Sequence, residues 1–285
     1  MPKIFEYKKC LSKALRCFLT AVFFLPLYVF PALASDGLMK MHFIDVGYGD
    51  AILIEFPDGE AALIDAGQSE HAGCLMKYLA DRNIENLKTA ILTHPQEDHF
   101  GGFFFLIKKK PIGELYINGD TQRAEEAYDD LIKIIEGNQI PITILKEGDE
   151  LLLGGGEVRF SVLHPLELEG SVNDNVLVFW IVYKETSFLL TSDMQELDQD
   201  ELLARYPQVK SANIVQVPHH GGKMTERFTG FFRDDVIFIV STGTNEYGKP
   251  LVEELDKLKG KVYRTDLHGS IELRSDGHQV KVMNE

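Results

Sequence analysis

The sequence predicts an α/β domain spanning residues 38–285. Two observations support it. Short apolar runs alternate with segments of helical spacing, with no repeat or low-complexity linker between them. Three separate runs also end in turns rich in His, Asp and Gly, which suits a site at one edge of a sheet, where rigid strand ends let the following loops converge. At 285 residues and 45% apolar composition the chain has ample material for a buried core.

Residues 1–34 read as an export signal. Lys3, Lys8, Lys9, Lys13 and Arg16 form a basic leader, 17–30 is its apolar core, and Ala32-Leu33-Ala34 is a small-residue exit before Ser35. An uncleaved anchor is the rival, because 17–34 reaches the lower limit of a spanning helix; Pro26 and Pro31 favour cleavage. Cleavage would leave no stable membrane insertion and place the protein in the periplasm or medium. Cys74 alone of the three cysteines would remain, so no intramolecular disulfide is expected. Without residues 1–34 the balance of 29 basic to 44 acidic residues becomes 24 to 43, a formal charge of −19. Such a charge disfavours nonspecific attraction to nucleic acid or anionic lipid.

Runs at 39–46 and 51–56, joined by Gly47-Tyr48-Gly49-Asp50, read as a strand pair. A strand at 60–64 delivers Asp65-Ala66-Gly67. Residues 71–82 carry helical spacing through Leu75, Met76 and Leu79, and a strand at 87–92 follows. Further on, 114–117 is a strand and 123–136 a helix. Strands at 142–145, 150–153 and 157–163 are broken by glycines, and 176–183 with 187–190 form a hairpin ending in Thr191-Ser192-Asp193. A helix at 199–206 precedes a strand at 214–217, which delivers Pro218-His219-His220-Gly221-Gly222. Strand, helix, strand and strand at 236–240, 251–257, 261–264 and 270–274 complete the pattern.

Thr93 to Gly102 packs two histidines, two carboxylates and paired glycines into ten positions. Neutral imidazole with carboxylate suits Zn, Mn or Fe, which makes His94, Asp98 and His99 the natural ligand candidates. A polar surface loop is the bland alternative.

Seven blocks in order carry a resemblance. They are Phe43 to Ala51, Leu63 to Gly67, Leu92 to Gly102, Leu189 to Asp193, Val217 to Gly221, Asn245 to Pro250 and Tyr263 to Asp266. Together they resemble the metallo-β-lactamase superfamily, and within it the DNA-uptake branch typified by the extracytoplasmic hydrolase domain of ComEC. The resemblance implies a four-layer αβ/βα metallo-β-lactamase sandwich with a metal site at the sheet edge. It also implies that His94 and Gln96 face one site, and that Asp98, His99 and one of His219 or His220 face a second. Asp193 would bridge the two, Asp65 would orient a ligand, and Asp50 would brace the site. Asp98 and Asp193 would then act in catalysis.

Several positions depart from the family pattern. Gln96 stands where a histidine or aspartate is usual. The segment Gly170 to Asn175 lacks the usual histidine before the bridging aspartate, and His164 suits a structural role better than a substitute one. Ser192, Gly222 and Lys249 replace a glycine, a serine and a histidine. The expectation is one firm Zn or Mn site and a second that is weak or absent. Asn245, Tyr247, Lys223 and Lys249 are candidates to face an anionic substrate, with turn or surface roles as alternatives, while Lys108 to Lys110 suit a solvated helix end.

The implied function is an exported phosphodiesterase or nuclease-like hydrolase acting on a phosphate-containing substrate, with DNA as the specific form. A non-catalytic binding relative is the first rival, favoured by Gln96 and Lys249. A hydrolase of amides or esters is the second. Oligomeric state is not legible.

Overall fold

A computed structural model describes residues 37–283. The expected leader lies outside these residues. The strands are β1 (Met39–Phe43), β2 (Ile52–Glu55), β3 (Ala61–Ile64), β4 (Leu87–Leu92), β5 (Ile112–Ile117), β6 (Ile142–Ile144), β7 (Glu150–Leu153), β8 (Val158–His164), β9 (Val178–Tyr183), β10 (Thr186–Leu190), β11 (Ile214–Gln216), β12 (Ile237–Val240), β13 (Lys261–Arg264), β14 (Ile271–Ser275) and β15 (Val280–Val282). The helices are α1 (Ala72–Asp81), α2 (Glu97–Phe100), α3 (Phe103–Leu106), α4 (Glu126–Gly137), α5 (Glu196–Arg205), α6 (Glu226–Phe231), α7 (Val252–Leu255) and α8 (Thr265–His268).

Two mixed sheets result. The first has the order β15-β14-β1-β2-β3-β4-β5-β6, and the second β13-β12-β11-β10-β9-β8-β7. Antiparallel hairpins make one half of each sheet, while β3 to β6 and β10 to β13 run parallel.

Side-chain alternation assigns the layers. In β2, Ile52 and Ile54 point between the sheets, into a core with Phe43, Phe160, Phe179 and Phe188, while Leu53 points to the opposite face. That outer face packs Leu75 and Leu79 of α1, Phe103 of α3 and Leu131 of α4. The second sheet likewise turns Leu189, Val215 and Phe238 toward Leu202 and Leu203 of α5 and Phe228 of α6. Helix, sheet, sheet and helix thus form the expected four layers. Each such buried Leu or Phe contributes roughly 1.5–3 kcal/mol.

Differences from the sequence reading are local. The first strand ends at Phe43 because Gly47 and Gly49 adopt left-handed conformations, and Asp45 Oδ1 accepts the Gly47 N–H at 3.2 Å. Helix α4 starts at Glu126, since Asp120 Oδ1 takes the N–H groups of Gln122 and Arg123 into a turn. Helix α5 begins three residues earlier than expected, at Glu196. The short helices α2, α6 and α8 and the edge strand β15 were not anticipated; α6 is capped by Thr225, whose Oγ1 accepts the Phe228 N–H at 3.0 Å. Lys108 and Lys109 are exposed just beyond α3, as a helix-end role requires.

Candidate metal centre

The site is assembled at the C-terminal ends of three parallel strands. Strand β4 delivers His94 and, through α2, Asp98 and His99; β10 delivers Asp193; β11 delivers His219 and His220. One ligand atom from each of Asp98, His99, Asp193 and His220 lies within 4.8 Å of the others. His220 Nε2 is 3.1 Å from Asp193 Oδ1 and 3.3 Å from Asp98 Oδ2, and His99 Nε2 is 3.3 Å from Asp193 Oδ1.

The surrounding bonds fix which atoms face inward. His99 Nδ1 donates to Asp65 Oδ2 at 2.8 Å and His220 Nδ1 donates to the Ser241 carbonyl at 3.0 Å. Each ring therefore turns an Nε2 lone pair to the cluster when neutral. Asp65 is itself held by the N–H of Thr93 at 2.8 Å and the hydroxyl of Thr93 at 2.7 Å. Behind this layer, Gln216 Nε2 donates to Asp50 Oδ2 at 2.8 Å while its Oε1 accepts the N–H groups of Thr191 and Ser192. Asp50, Asp65 and His99 also lie close together. The His99 Nδ1 proton satisfies Asp65 Oδ2 and the Gln216 amide satisfies Asp50 Oδ2, while Asp50 Oδ1 is buried without a partner. Because His99 turns its Nδ1, already bonded to Asp65, toward this group, the group supports the first cluster.

His99 Nε2, His220 Nε2 and Asp193 Oδ1 are buried and have no hydrogen-bond partner. Buried polar atoms without partners are costly, and a divalent cation at their common centre would satisfy all three. Two imidazole nitrogens and two carboxylate oxygens suit Zn or Mn. The residues present fit such an ion.

Electrostatics lead the same way. Burial opposes charge on His220, but Asp193, Asp98 and Asp50 outweigh it and raise the ring to about 10. Against the same burial cost, Asp193 and Asp98 also raise His99 well above its ordinary value. In return, His99 and His220 outweigh the burial of Asp98 and hold it at about 2. Without a metal ion the cluster attracts protons, and an ion bound there would displace them.

The other candidates sit beside this centre. His94 is fully buried, with Nε2 2.8 Å from Gln96 Oε1; burial and then His99 depress its pKa to about 3, so it is neutral. His219 Nε2 approaches the other oxygen of Asp193 at 3.3 Å. The two consecutive histidines therefore serve opposite sides of one carboxylate. Asp65, Ser192, His219 and His220 all adopt left-handed backbone conformations, with φ from 48° to 57°. Such strain in non-glycine residues tends to collect at functional sites.

Asn245 turns inward on its own loop. Its Nδ2 donates to the carbonyls of Gly243 and Lys249, and its Oδ1 accepts the N–H groups of Tyr247 and Lys249. Lys249 Nζ lies 3.3 Å from the Tyr48 hydroxyl, beside the ring that packs on His220, whereas Lys223 is exposed. His164 donates to the Val176 carbonyl at 2.8 Å, in keeping with a structural role.

The sequence reading missed three contributors. Tyr48 stacks on His220 at 4.4 Å between ring centres, and burial followed by Asp193 and Asp98 raises its hydroxyl well above 10, so it stays a proton donor. Asn173 Nδ2 lies 3.4 Å from His219 Nε2, within the segment that lacks the usual histidine. Gln195 Nε2 lies 3.4 Å from the other ring nitrogen of His219. Only the turn composition around Tyr48 and the asparagines of 170–175 hinted at them.

Comparison with known proteins identifies the family and the fold. The profile described as the metallo-beta-lactamase superfamily matches residues 44–236, more than half of the chain. The chain is 28% identical to ComE operon protein 3 of Bacillus subtilis over 87% of its own length, and 28% identical to Recombination protein 2 of Haemophilus influenzae over 83%. It spans only 34% and 29% of those two relatives. Among solved structures it resembles YhfI, a metallo-beta-lactamase fold protein from Bacillus subtilis (TM-score 0.52, 14% identity, 81% of this chain and 98% of that one). It also resembles Tm1679, described as a metal-dependent hydrolase of the beta-lactamase superfamily (TM-score 0.55, 14% identity, 81% and 98%).

Proposed function

Since the chain belongs to the metallo-β-lactamase superfamily, we propose that it is an exported metal-dependent phosphodiesterase, with its Zn or Mn ion held by Asp98, His99, Asp193 and His220. The observation that carries this reading is the convergence of those four donors within 4.8 Å, three of their atoms being buried without partners. Export rests on the leader read at 1–34; among the described residues no helix is long and apolar enough to cross a membrane.

When bound, the ion supplies Lewis acidity, making water a nucleophile near neutral pH and neutralising charge on a phosphoryl oxygen. The protein supplies position. Asp65 and the Ser241 carbonyl keep the two rings in the tautomer that presents Nε2. Asp98, whose carboxyl is held down at about 2, and Asp193 are hydrogen-bond acceptors that would orient an attacking water without taking its proton outright. The Tyr48 hydroxyl remains a donor at the rim.

A phosphate-containing substrate fits a cationic centre, and DNA is the form suggested by the likeness to the DNA-uptake branch and by the relatives named for the ComE operon and for recombination. A non-catalytic binding role is the second reading. Gln96 favours it, because its amide oxygen engages His94 where the superfamily usually offers a histidine or aspartate.

Elemental mass spectrometry on protein purified without chelator decides between them, beside a His99→Ala, Asp193→Ala control. Metal lost in the control, together with hydrolysis of bis(p-nitrophenyl) phosphate, supports the phosphodiesterase. No metal after supplementation with Zn or Mn rejects it and leaves the binding role.

A further inference from the structure

We propose that this is a one-metal site in which Lys249 supplies the second positive charge and receives the anionic oxygen of the substrate, partnered by the hydroxyl of Tyr48. The inference rests on the phosphodiesterase reading and specifies how that site recognises a phosphodiester.

The ligand inventory gives the first argument. Asp98 and Asp193 together cancel one divalent ion at the cluster formed with His99 and His220. Beside the cluster, His219 faces the other oxygen of Asp193 with Asn173 near it, and His94 lies against the His99 ring with Gln96 on its Nε2; all four are neutral. A second dication there would share Asp193 and have no carboxylate of its own. Two imidazoles with weak amide donors fall short of the three strong protein ligands that a firmly held zinc-type ion takes.

The second argument is where Lys249 is held. Its backbone N–H and carbonyl are both bound by the single amide of Asn245, at 3.2 and 2.6 Å. The next residue, Pro250, packs against Gly221, where an added Cβ would lie 2.4 Å from the Pro250 Cβ, and Leu251 N–H donates to the Gly221 carbonyl at 2.8 Å. The lysine loop is thereby fastened to the turn that carries His219 and His220. From it the half-buried Nζ reaches to 3.3 Å from the Tyr48 hydroxyl, above the ring that stacks on His220.

The third argument is its missing partner. Among the described residues Lys249 forms no ion pair, although Asp193 and Asp98 act on it electrostatically. An ammonium brought into partial burial without a carboxylate is placed for an anion from outside. With the charge of one dication matched by Asp98 and Asp193, the ammonium adds a positive charge beside the cluster that a phosphodiester anion can meet. Its three donors can serve a phosphoryl oxygen as a point charge while still contacting Tyr48.

The test measures metal content and calorimetric binding of inorganic phosphate on the metal-loaded protein, in the native form, Lys249→Met and Lys249→Arg. About one ion per chain is expected in all three. Phosphate binding should weaken by about tenfold or more in Lys249→Met, the scale of a lost charge-assisted bond, and return in large part in Lys249→Arg. Two ions in the native protein, loss of metal in Lys249→Met, or unchanged phosphate affinity at unchanged metal content would each overturn the proposal. Absence of metal from the native protein would instead defeat the phosphodiesterase reading itself.

Discussion

His99 donates its Nδ1 proton to Asp65 Oδ2 at 2.8 Å, and this bond decides that Nε2, not Nδ1, faces the metal cluster. Asp65 is fully buried, so the carboxylate has no role toward solvent. Replacing it with Asn offers an amide that can present either end to the ring and weakens the tautomer preference. Metal affinity, measured by competition with a chromogenic chelator, should fall by about 10–100-fold. An unchanged affinity would mean that the proton on His99 is set by something other than Asp65.

The neighbours His219 and His220 should separate cleanly. His220 faces the same Asp193 oxygen as His99, whereas His219 faces the other oxygen and touches Asn173 and Gln195. His220→Ala removes one of four converging donors and should abolish stoichiometric metal binding. His219→Ala should leave about one ion per chain, because the four-donor cluster is intact. Equal loss in both variants, read by elemental analysis, would show that the two histidines bind one ion jointly.

The legible part of this architecture is what lies contiguous in sequence. The strands reveal themselves by apolar runs and turn glycines, and the Thr93–Gly102 segment announces a metal site because its donors are close together in the chain. Tyr48, Asn173 and Gln195 were hidden because they reach His219 and His220 from three other elements, and no local spacing marks that convergence. The choice between His219 and His220 was hidden for another reason. Both residues are left-handed, a state that only glycine makes visible in a sequence, so regular backbone rules do not say where each ring points. For Asn245 the sequence leaves a substrate-facing role and a turn open, and its amide closes the Lys249 loop.

The metal-free protein should lose stability as pH rises. The folded-state pKa of His220 is raised from 6.5 to about 10, so its ion pairs with Asp193 and Asp98 contribute fully below about 6.5 and fade as pH climbs through about 10. Thermal melts of chelator-treated protein between pH 7 and 10 should show a falling Tm. Metal binding has the contrary sign, since the protons on His99 and His220 must leave first, and its apparent affinity should rise over the same interval. A flat Tm in the chelated protein would mean that the rings are already neutral at pH 7.

Gly49 is a backbone test of the same centre. Its φ is +123°, and an added Cβ would lie 2.2 Å from the Asp98 carbonyl oxygen, which also accepts the Asp50 N–H at 3.3 Å. Gly49→Ala therefore combines a strained φ with a clash against the turn that carries Asp98 and His99. Urea unfolding should show a loss of about 2 kcal/mol or more. Metal affinity should decline with it, whereas a purely local defect in the first turn would lower stability and spare the metal.

Gln96→Asp addresses the asymmetry between the two sides of Asp193. Gln96 Oε1 now lies 2.8 Å from His94 Nε2, so Asp at position 96 would add a carboxylate beside His94, on a side where His219 faces the other Asp193 oxygen. That set contains its own anion, which the native set lacks, and imidazole with carboxylate is a competent donor combination for Zn or Mn. Metal content should rise from about one toward about two ions per chain, with a gain in phosphodiester hydrolysis because two ions stabilise both the attacking and leaving oxygens. The nearby Lys249 ammonium opposes a second cation, so Gln96→Asp combined with Lys249→Met should hold the added ion more tightly than Gln96→Asp alone. If Gln96→Asp remains at one ion even at millimolar Mn, the amide at position 96 is not what keeps the second side empty, and the cause lies in the absent histidine of the 170–175 segment.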